Sequence, residues 1–179
     1  MLRRTFVRSA VVAAFAALAF MSPAMAADAP QLLGKFGGWA AYQFGTGANK
    51  ICYVMGAPQK SAPEMTRGEV YFMITHRPQK QIRGEISMRA GYAFSKTSRP
   101  FAEIGKAKFS MFTGVAKGGE NASWAWLESV SDEPKLVKAM RGGSTMTIKG
   151  TPNKGKLTTD TYSLTGISAA LNKIDAACK

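Results

Sequence analysis

Apolar and polar positions alternate with a period of two along much of the chain. Short runs rich in aromatic and β-branched residues recur between clusters of Gly, Pro, Asn and Ser, which is typical of strands joined by turns. Several of the runs have one apolar face, so the pattern predicts a mainly β fold, a sandwich or a barrel. Of the two we favour an antiparallel β-sandwich of the Ig-like or jelly-roll-like kind. The eight predicted strands are residues 39–44, 51–55, 70–75, 82–88, 107–112, 123–127, 145–149 and 157–164.

Two segments have helical rather than strand periodicity. Residues 131–140 begin with a serine and two acids before Pro134, and end in basic residues followed by glycine, as the ends of a helix do. Residues 167–178 place apolar side chains at helical spacing, with Cys178 on the same face. The sequence therefore predicts two short helices, the last at the C-terminus, and a hairpin turn at Gly155.

The N-terminus has the pattern of a secretory signal peptide. Residues 1–8 hold three arginines and no acid, residues 9–21 are almost continuously apolar, and residues 24–26 supply the small side chains of a cleavage site. Residues 1–26 are therefore predicted to be removed on export. The apolar stretch is shorter than the roughly 20 residues of a membrane span, and no later stretch approaches that length, so no transmembrane segment is expected after signal removal.

The rest of the chain suits a single exported domain. Arg3-Arg4 faintly resembles a twin-arginine signal, but basic pairs are ordinary in such leaders, which favours the common unfolded-export route. Either route leads out of the cytoplasm. Residues 27–35 are predicted to be an N-terminal lead, and residues 36–179 one domain with one core, because no linker or repeat divides them.

Two cysteines, Cys52 and Cys178, lie near the two ends of this domain. In an oxidising compartment two cysteines so placed usually pair. We therefore predict a disulfide that closes a loop of 126 residues. A free nucleophilic or metal-binding thiol is the less favoured alternative.

Basic residues strongly outnumber acidic ones. The formal charge is +13, and loss of the three leader arginines lowers it to +10. The largest local excess lies between residues 77 and 108, interleaved with aromatic residues. Scattered cations on a sheet are usually only a solvated face. The functional alternative is a surface that binds anionic phospholipid or lipopolysaccharide headgroups or an acidic protein, whereas export and the lack of a binding-module signature argue against nucleic acid. The candidate residues are Arg77, Lys80, Arg83, Arg89, Lys96 and Arg99.

The only histidine, His76, stands at the end of a predicted strand in the run YFMITHRP. A catalytic histidine needs a nucleophile and an orienting acid, and Asp160 is the candidate acid, but no nucleophile motif accompanies them. We therefore predict a structural His76, hydrogen-bonded where the strand ends, and no catalytic residue. The alternative is a periplasmic enzyme, or an enzyme inhibitor, that uses His76 with Asp160. One histidine and scattered acids also predict no metal site, and we expect no cofactor.

Trp124-Ala125-Trp126 places two tryptophans on one face of a predicted strand. Such a pair is either a core layer or an exposed platform that binds carbohydrate or peptide. A sandwich of this size needs bulky inner residues, so the sequence favours the core.

Four stretches of the sequence occur in a recognisable order and spacing. They are CYVM at 52–55, YFMITHRP at 71–78, LVKAMRGGSTMTIKGT at 136–151 and TTDTYSLTGISAALNKIDAACK at 158–179. Together they resemble the invasion-associated locus B family of exported bacterial proteins, over about residues 36–179. The resemblance implies a β-sandwich in the periplasm or outer cell envelope of a Gram-negative bacterium, or secreted from it, and a non-enzymatic role in host-cell invasion or envelope integrity. It supplies no catalytic residue, and its cysteine pattern agrees with the predicted disulfide.

Overall fold

The computed structural model describes residues 29–179, so the predicted signal peptide lies outside the described residues. All eight predicted strands and both predicted helices form, and three further short strands join them. No helix of residues 29–179 is long and apolar enough to cross a membrane. The elements are β1 (Gln31–Phe36), β2 (Trp39–Phe44), β3 (Ile51–Gly56), β4 (Lys60–Ala62), β5 (Tyr71–Arg77), β6 (Ile82–Arg89), β7 (Phe101–Ile104), β8 (Ala107–Thr113), β9 (Trp124–Leu127), α1 (Glu133–Gly142), β10 (Thr145–Gly150), β11 (Thr158–Ser163) and α2 (Ile167–Ala177).

Hydrogen bonds join the strands into one antiparallel sheet that folds back on itself. The strand order is β1-β2-β3-β5-β6-β9-β8-β7-β10-β11-β4. The sheet bends back at β8. Residues 107–110 of this strand pair with β7, and residues 111–113 pair with β9. This divides the sheet into a first layer (β1, β2, β3, β5, β6 and β9) and a second layer (β7, β10, β11 and β4). The sandwich-like fold predicted from the sequence is thus confirmed.

Aromatic side chains hold the two layers together. The ring centroids of Trp39 and Phe72, in the first layer, lie 6.3 Å and 6.2 Å from that of Tyr162 in the second layer. The indole Nε1 of Trp39 donates a hydrogen bond to the carbonyl of Ser163 at 2.8 Å. All three rings are buried, and such a ring stabilises a fold by about 2 to 3 kcal/mol on burial.

The C-terminal helix α2 covers the inner face of β1, β2 and β3. Cys178, directly after the helix, forms a disulfide with Cys52 of β3, with an S–S distance of 2.07 Å and a Cα–Cα distance of 6.0 Å. The predicted pairing is therefore confirmed. Lys50 donates to the carbonyl of Ala177 at 2.8 Å, and Arg83 donates to that of Cys178 at 3.2 Å. These bonds satisfy carbonyls that have no partner within the helix.

The predicted N-terminal lead, residues 27–35, overlaps strand β1. Residues 31–36 form this edge strand against β2, with an irregularity between Leu32 and Gly34. The turn between the two strands is Gly37-Gly38, and Gly37 has a φ of +60°. A Gly-Gly pair between two strands is a hairpin signal because glycine tolerates positive φ.

Candidate functional site

His76 lies at the end of β5 with its ring on the inner face of the first layer. Thr75 pairs with Glu85 but His76 pairs with Arg83, so Gly84 is an extra residue that forms a bulge in β6. Gly84 has a φ of +86°, and its N–H donates to Nδ1 of His76 at 3.0 Å. The buried ring, only 4% exposed, therefore satisfies a backbone donor that the bulge removes from the ladder.

The other nitrogen of the His76 ring faces helix α2. Nε2 lies 3.0 Å from Oδ1 of Asp175, and because Nδ1 is an acceptor, Nε2 carries the proton and donates. Asp175 also accepts from Arg83 at 3.0 Å and from Arg141 of α1 at 3.2 Å. His76 thus belongs to a polar cluster that joins the β5–β6 hairpin to both helices.

Asp160 belongs to a different cluster and does not meet His76. Its carboxylate is buried and forms an ion pair with Arg67, and it accepts from the hydroxyl of Ser61 at 2.7 Å. Arg67 also donates to the carbonyl of Ala90 at 2.9 Å. Both carboxylate oxygens are thus occupied by side chains of this cluster. His76 and Asp160 are therefore not in contact, contrary to the alternative hypothesis, because each is hydrogen-bonded to other residues.

The pKa values of three side chains around Asp160, those of Arg67, Tyr92 and Tyr162, are raised. Burial opposes the charge of Arg67, but the hydrogen bond and the charge of Asp160 outweigh it and raise the pKa of the guanidinium. Burial also raises the pKa of Tyr92, whose hydroxyl lies 2.6 Å from that of Thr158. Burial raises the pKa of Tyr162 far above its ordinary value. The arginine therefore stays charged and both phenols neutral near pH 7, as befits a structural cluster.

The six candidate cations fall into two groups that are separated along the chain by β6. The two ends of this strand lie about 20 Å apart, because an extended strand rises about 3.3 Å per residue. The first group lies at the β5–β6 turn and consists of Arg77, Lys80 and Arg83. The second group consists of Arg89, the last residue of β6, and of Lys96 and Arg99 in the loop that follows. Three ion pairs involve these residues, Arg77 with Glu85, Arg83 with Asp175, and Arg89 with Glu69. The six therefore do not form one continuous patch.

A surface groove of about 570 Å³ lies beside the first group, between the β2–β3 turn and the β5–β6 turn. Lys50, Arg77 and Lys80 line it together with the apolar side chains of Phe44 and Ile51, and no acidic side chain is part of its lining. We call it the basic groove. Sequence reasoning missed Lys50 because only the pairing of β3 with β5 brings it near Arg77.

Trp124 and Trp126 lie on the outer face of the first layer, so the core interpretation of this pair is wrong. Their neighbours Ala125 and Leu127 point inward and are buried. The pairing of β9 with β6 fixes this orientation, since Trp124 lies opposite Arg89 and Trp126 opposite Ser87. Both tryptophans are partly exposed, which favours the platform interpretation.

Further aromatic side chains share this outer surface. Ring centroids of neighbouring pairs lie 5.2 to 6.2 Å apart, from one tyrosine pair at one side to the two tryptophans at the other. Both helices and the second layer pack on the opposite side, and all these rings remain partly exposed. We call the surface the outer aromatic face. Its members are Tyr42, Tyr53, Met55, Tyr71, Met73, Phe112, Trp124 and Trp126.

Within residues 29–179, no three His, Cys, Asp or Glu side chains converge as they would around a metal ion. The described surface presents both charged and aromatic side chains for contact. Its components are the basic groove and the outer aromatic face.

The role of His76 in joining the hairpin to the helices is testable. We expect His76→Ala to lower the free energy of unfolding by about 1 to 3 kcal/mol, because it leaves the Gly84 N–H without an acceptor and removes one of the three donors to Asp175. Urea unfolding measures the change. Gln79→Ala, an exposed substitution in the same turn, is the control and should change stability by less than about 0.5 kcal/mol. Equal stability of the two variants would contradict the role.

The sequence profile of one family, described as invasion associated locus B protein, matches residues 39–175. The match runs from β2 into α2 and includes His76, Asp160 and both tryptophans of β9. Comparison with curated proteins and with solved structures finds no match.

Proposed function

The chain belongs to the invasion associated locus B family, and from that premise we propose that it is an exported, non-enzymatic interaction module of the cell envelope that binds anionic headgroups. Its location would be the periplasm or the outer cell envelope, which the signal-like residues 1–26 support. A role in host-cell invasion or envelope integrity would follow from attachment to such a surface.

The observation that carries the proposal is the basic groove. Lys80 has no carboxylate within ion-pair distance among residues 29–179. Lys50 has none either, but its ammonium donates to the carbonyl of Ala177, and Arg77 pairs with Glu85 outside the lining. Phe44 and Ile51 give the groove an apolar floor. Positive charge above an apolar floor suits a phosphate or carboxylate that carries an apolar group, as a lipid does.

Of the second group of cations, strand register places Arg89 at the other end of the outer aromatic face. Arg89 stands opposite Trp124, whereas Lys96 belongs to the loop after β6 and lines a pocket with Thr113, which faces the inner side of β8. Arg99 precedes Pro100, whose carbonyl accepts from the amide of Met111 at 2.9 Å, beside Phe112. Arg83 differs, because it turns to the inner side and bonds α2.

Cations at both ends of one face can contact a planar anionic surface together. Each lysine or arginine near such a surface contributes about 1 kcal/mol of binding free energy. Membrane binding should therefore depend on these positions and less on cations carried by the helices of the inner side.

The test reverses the charge of one cation beside the basic groove and of two in the loop after β6. Lys80→Glu, Lys96→Glu and Arg99→Glu together remove exposed cations that form no ion pair among the described residues. We expect binding to vesicles that contain phosphatidylglycerol to weaken by about 100-fold at low salt, on the basis of about 1 kcal/mol per cation. Co-sedimentation of protein purified after export measures the affinity.

The control makes the same change in net charge elsewhere. Lys138→Glu, Lys173→Glu and Lys179→Glu alter exposed residues of the helices and the C-terminus, and should weaken binding much less. Equal losses for the two triple variants would mean that only net charge matters and would contradict the proposal. Parallel assays with lipopolysaccharide vesicles distinguish that headgroup from phospholipid. Binding to a purified acidic protein alone would replace the proposal with the other partner class.

A further inference from the structure

Strand register builds the outer aromatic face into a continuous band. Consecutive cross-strand neighbours form one row across six strands. At about 4.8 Å per strand spacing, the row extends about 24 Å. Its large side chains point the same way from a hydrogen-bonded sheet, so they form one rigid surface. The members of the row are Met55, Met73, Trp126 and Phe112 of the outer aromatic face, together with the smaller Ala40 and Ser87.

This face carries many large apolar side chains, with Thr75, Glu85 and Ser87 among them, where the outer face of an antiparallel sheet is ordinarily polar. Leu32, Phe44 and Phe112 are 47%, 38% and 49% exposed. Leu32 lies opposite Tyr42, Phe44 opposite Ile51, and Phe112 opposite Trp126, so all three belong to the same side of the sheet. Large contiguous apolar surfaces of this kind mark sites that bind a protein or a membrane.

The charges around the face favour a membrane over a protein partner such as a second copy of the chain. The basic groove lies at one end and Arg89 at the other, and the acids of these regions are paired, Glu85 with Arg77 and Glu69 with Arg89. A second copy of the chain placed face to face would set cations against cations in either orientation, and each exported copy carries a formal charge of +10 after loss of the three leader arginines. An anionic surface has the complementary charge at both ends.

Tryptophan and tyrosine favour the boundary between headgroups and acyl chains, because each ring is apolar and carries a polar tip. We propose that the outer aromatic face lies on an anionic phospholipid bilayer and places Trp124 and Trp126 at this boundary. The inference rests on the proposed function, which requires only contact between cations and headgroups. It adds the face of the protein that enters the bilayer.

Tryptophan fluorescence provides the direct test. The sequence has three tryptophans, and Trp39 is buried between the layers at 2% exposed, so a lipid-borne quencher should reach only the other two. We expect phosphatidylglycerol vesicles with acyl chains brominated near the headgroup to quench most of the emission of Trp124 and Trp126. The variant Trp124→Phe with Trp126→Phe retains Trp39 alone, and its emission should be unchanged by the same vesicles.

A matched pair of variants tests the apolar contact independently of fluorescence. Phe112→Asp should weaken vesicle binding by about tenfold or more, since it places a charge where apolar surface enters the interface. Val130→Asp changes a residue that is 77% exposed outside the outer aromatic face, and should have much less effect. Each variant is first checked for wild-type circular dichroism and urea unfolding.

The outcomes separate the inference from the proposed function. Vesicle binding without quenching, and with no difference between Phe112→Asp and Val130→Asp, would overturn the inference and leave binding through cations intact. No vesicle binding at all would overturn both. A dimer in sedimentation experiments that Phe112→Asp dissociates would assign the face to a second copy of the chain instead.

Discussion

Loss of the Cys52–Cys178 disulfide should lower the free energy of unfolding by about 4 to 5 kcal/mol. The bond joins residues separated by 126 positions, and cross-linking so long a loop removes a large conformational entropy from the unfolded chain. The double variant Cys52→Ala with Cys178→Ala should therefore unfold at a much lower urea concentration than the wild type, with α2 the first element to lose hydrogen-exchange protection.

Reduction of the wild type is the matching experiment. A reductant should bring the unfolding midpoint of the wild type close to that of the double alanine variant, and should leave the midpoint of the variant unchanged. If reduction shifts the wild type by no more than it shifts the variant, the disulfide does not supply the stability assigned to it. The polar cluster around Asp175 would then be sufficient to hold α2.

Removal of the Asp160 carboxylate should cost about 3 to 5 kcal/mol, the usual loss when one partner of a buried ion pair is deleted. Asp160→Ala leaves the guanidinium of Arg67 buried without its counter-charge, and also removes the acceptor of the Ser61 hydroxyl. The affected residues connect β4, β11 and the segment before β5. Urea unfolding of the variant measures the loss.

The double variant Arg67→Met with Asp160→Leu is the control for this pair. It removes both charges and restores apolar volume, so its loss of stability should be much smaller than that of Asp160→Ala. A loss below about 1 kcal/mol for Asp160→Ala would show that the pair contributes little. Equal losses in the single and double variants would show that lost volume, rather than an unpaired charge, destabilises the fold.

The regular strands could be predicted because their side chains alternate between core and surface. Three strands lacked that signal. β1 carries the irregularity at Gly34, β4 has only three residues with no apolar alternation, and β7 has four residues. β4 and β7 form because longer neighbours supply hydrogen-bond partners, and β1 forms against β2, which has the same length. This tertiary effect leaves no periodic pattern in the sequence of the segment.

Alternation also failed at the two tryptophans of β9, for a physical reason. In WAWL both sides of the strand are apolar, so the pattern cannot indicate which side is buried. The structure buries Ala125 and Leu127, because Ala125 lies between Met88 of β6 and Thr113 of β8 on the crowded inner side. The bulkier pair is left outside, where it forms part of the outer aromatic face.

The environment of His76 could be predicted only in part from the sequence. A glycine inside a predicted strand, Gly84, is a recognised signal of a bulge, and a bulge releases a backbone donor. The partner Asp175 lies 99 residues away in the chain, so only the docking of α2 identifies it. The same holds for Arg67, which reaches Asp160 from an irregular segment.

The central claim is that the protein attaches to an anionic lipid surface, and the most direct measurement compares vesicles that differ only in charge. We predict that wild-type protein purified after export co-sediments with vesicles containing phosphatidylglycerol, that salt weakens the association, and that vesicles of phosphatidylcholine alone bind at least tenfold less protein. Equal binding to both kinds of vesicle, or binding to neither, would contradict the account.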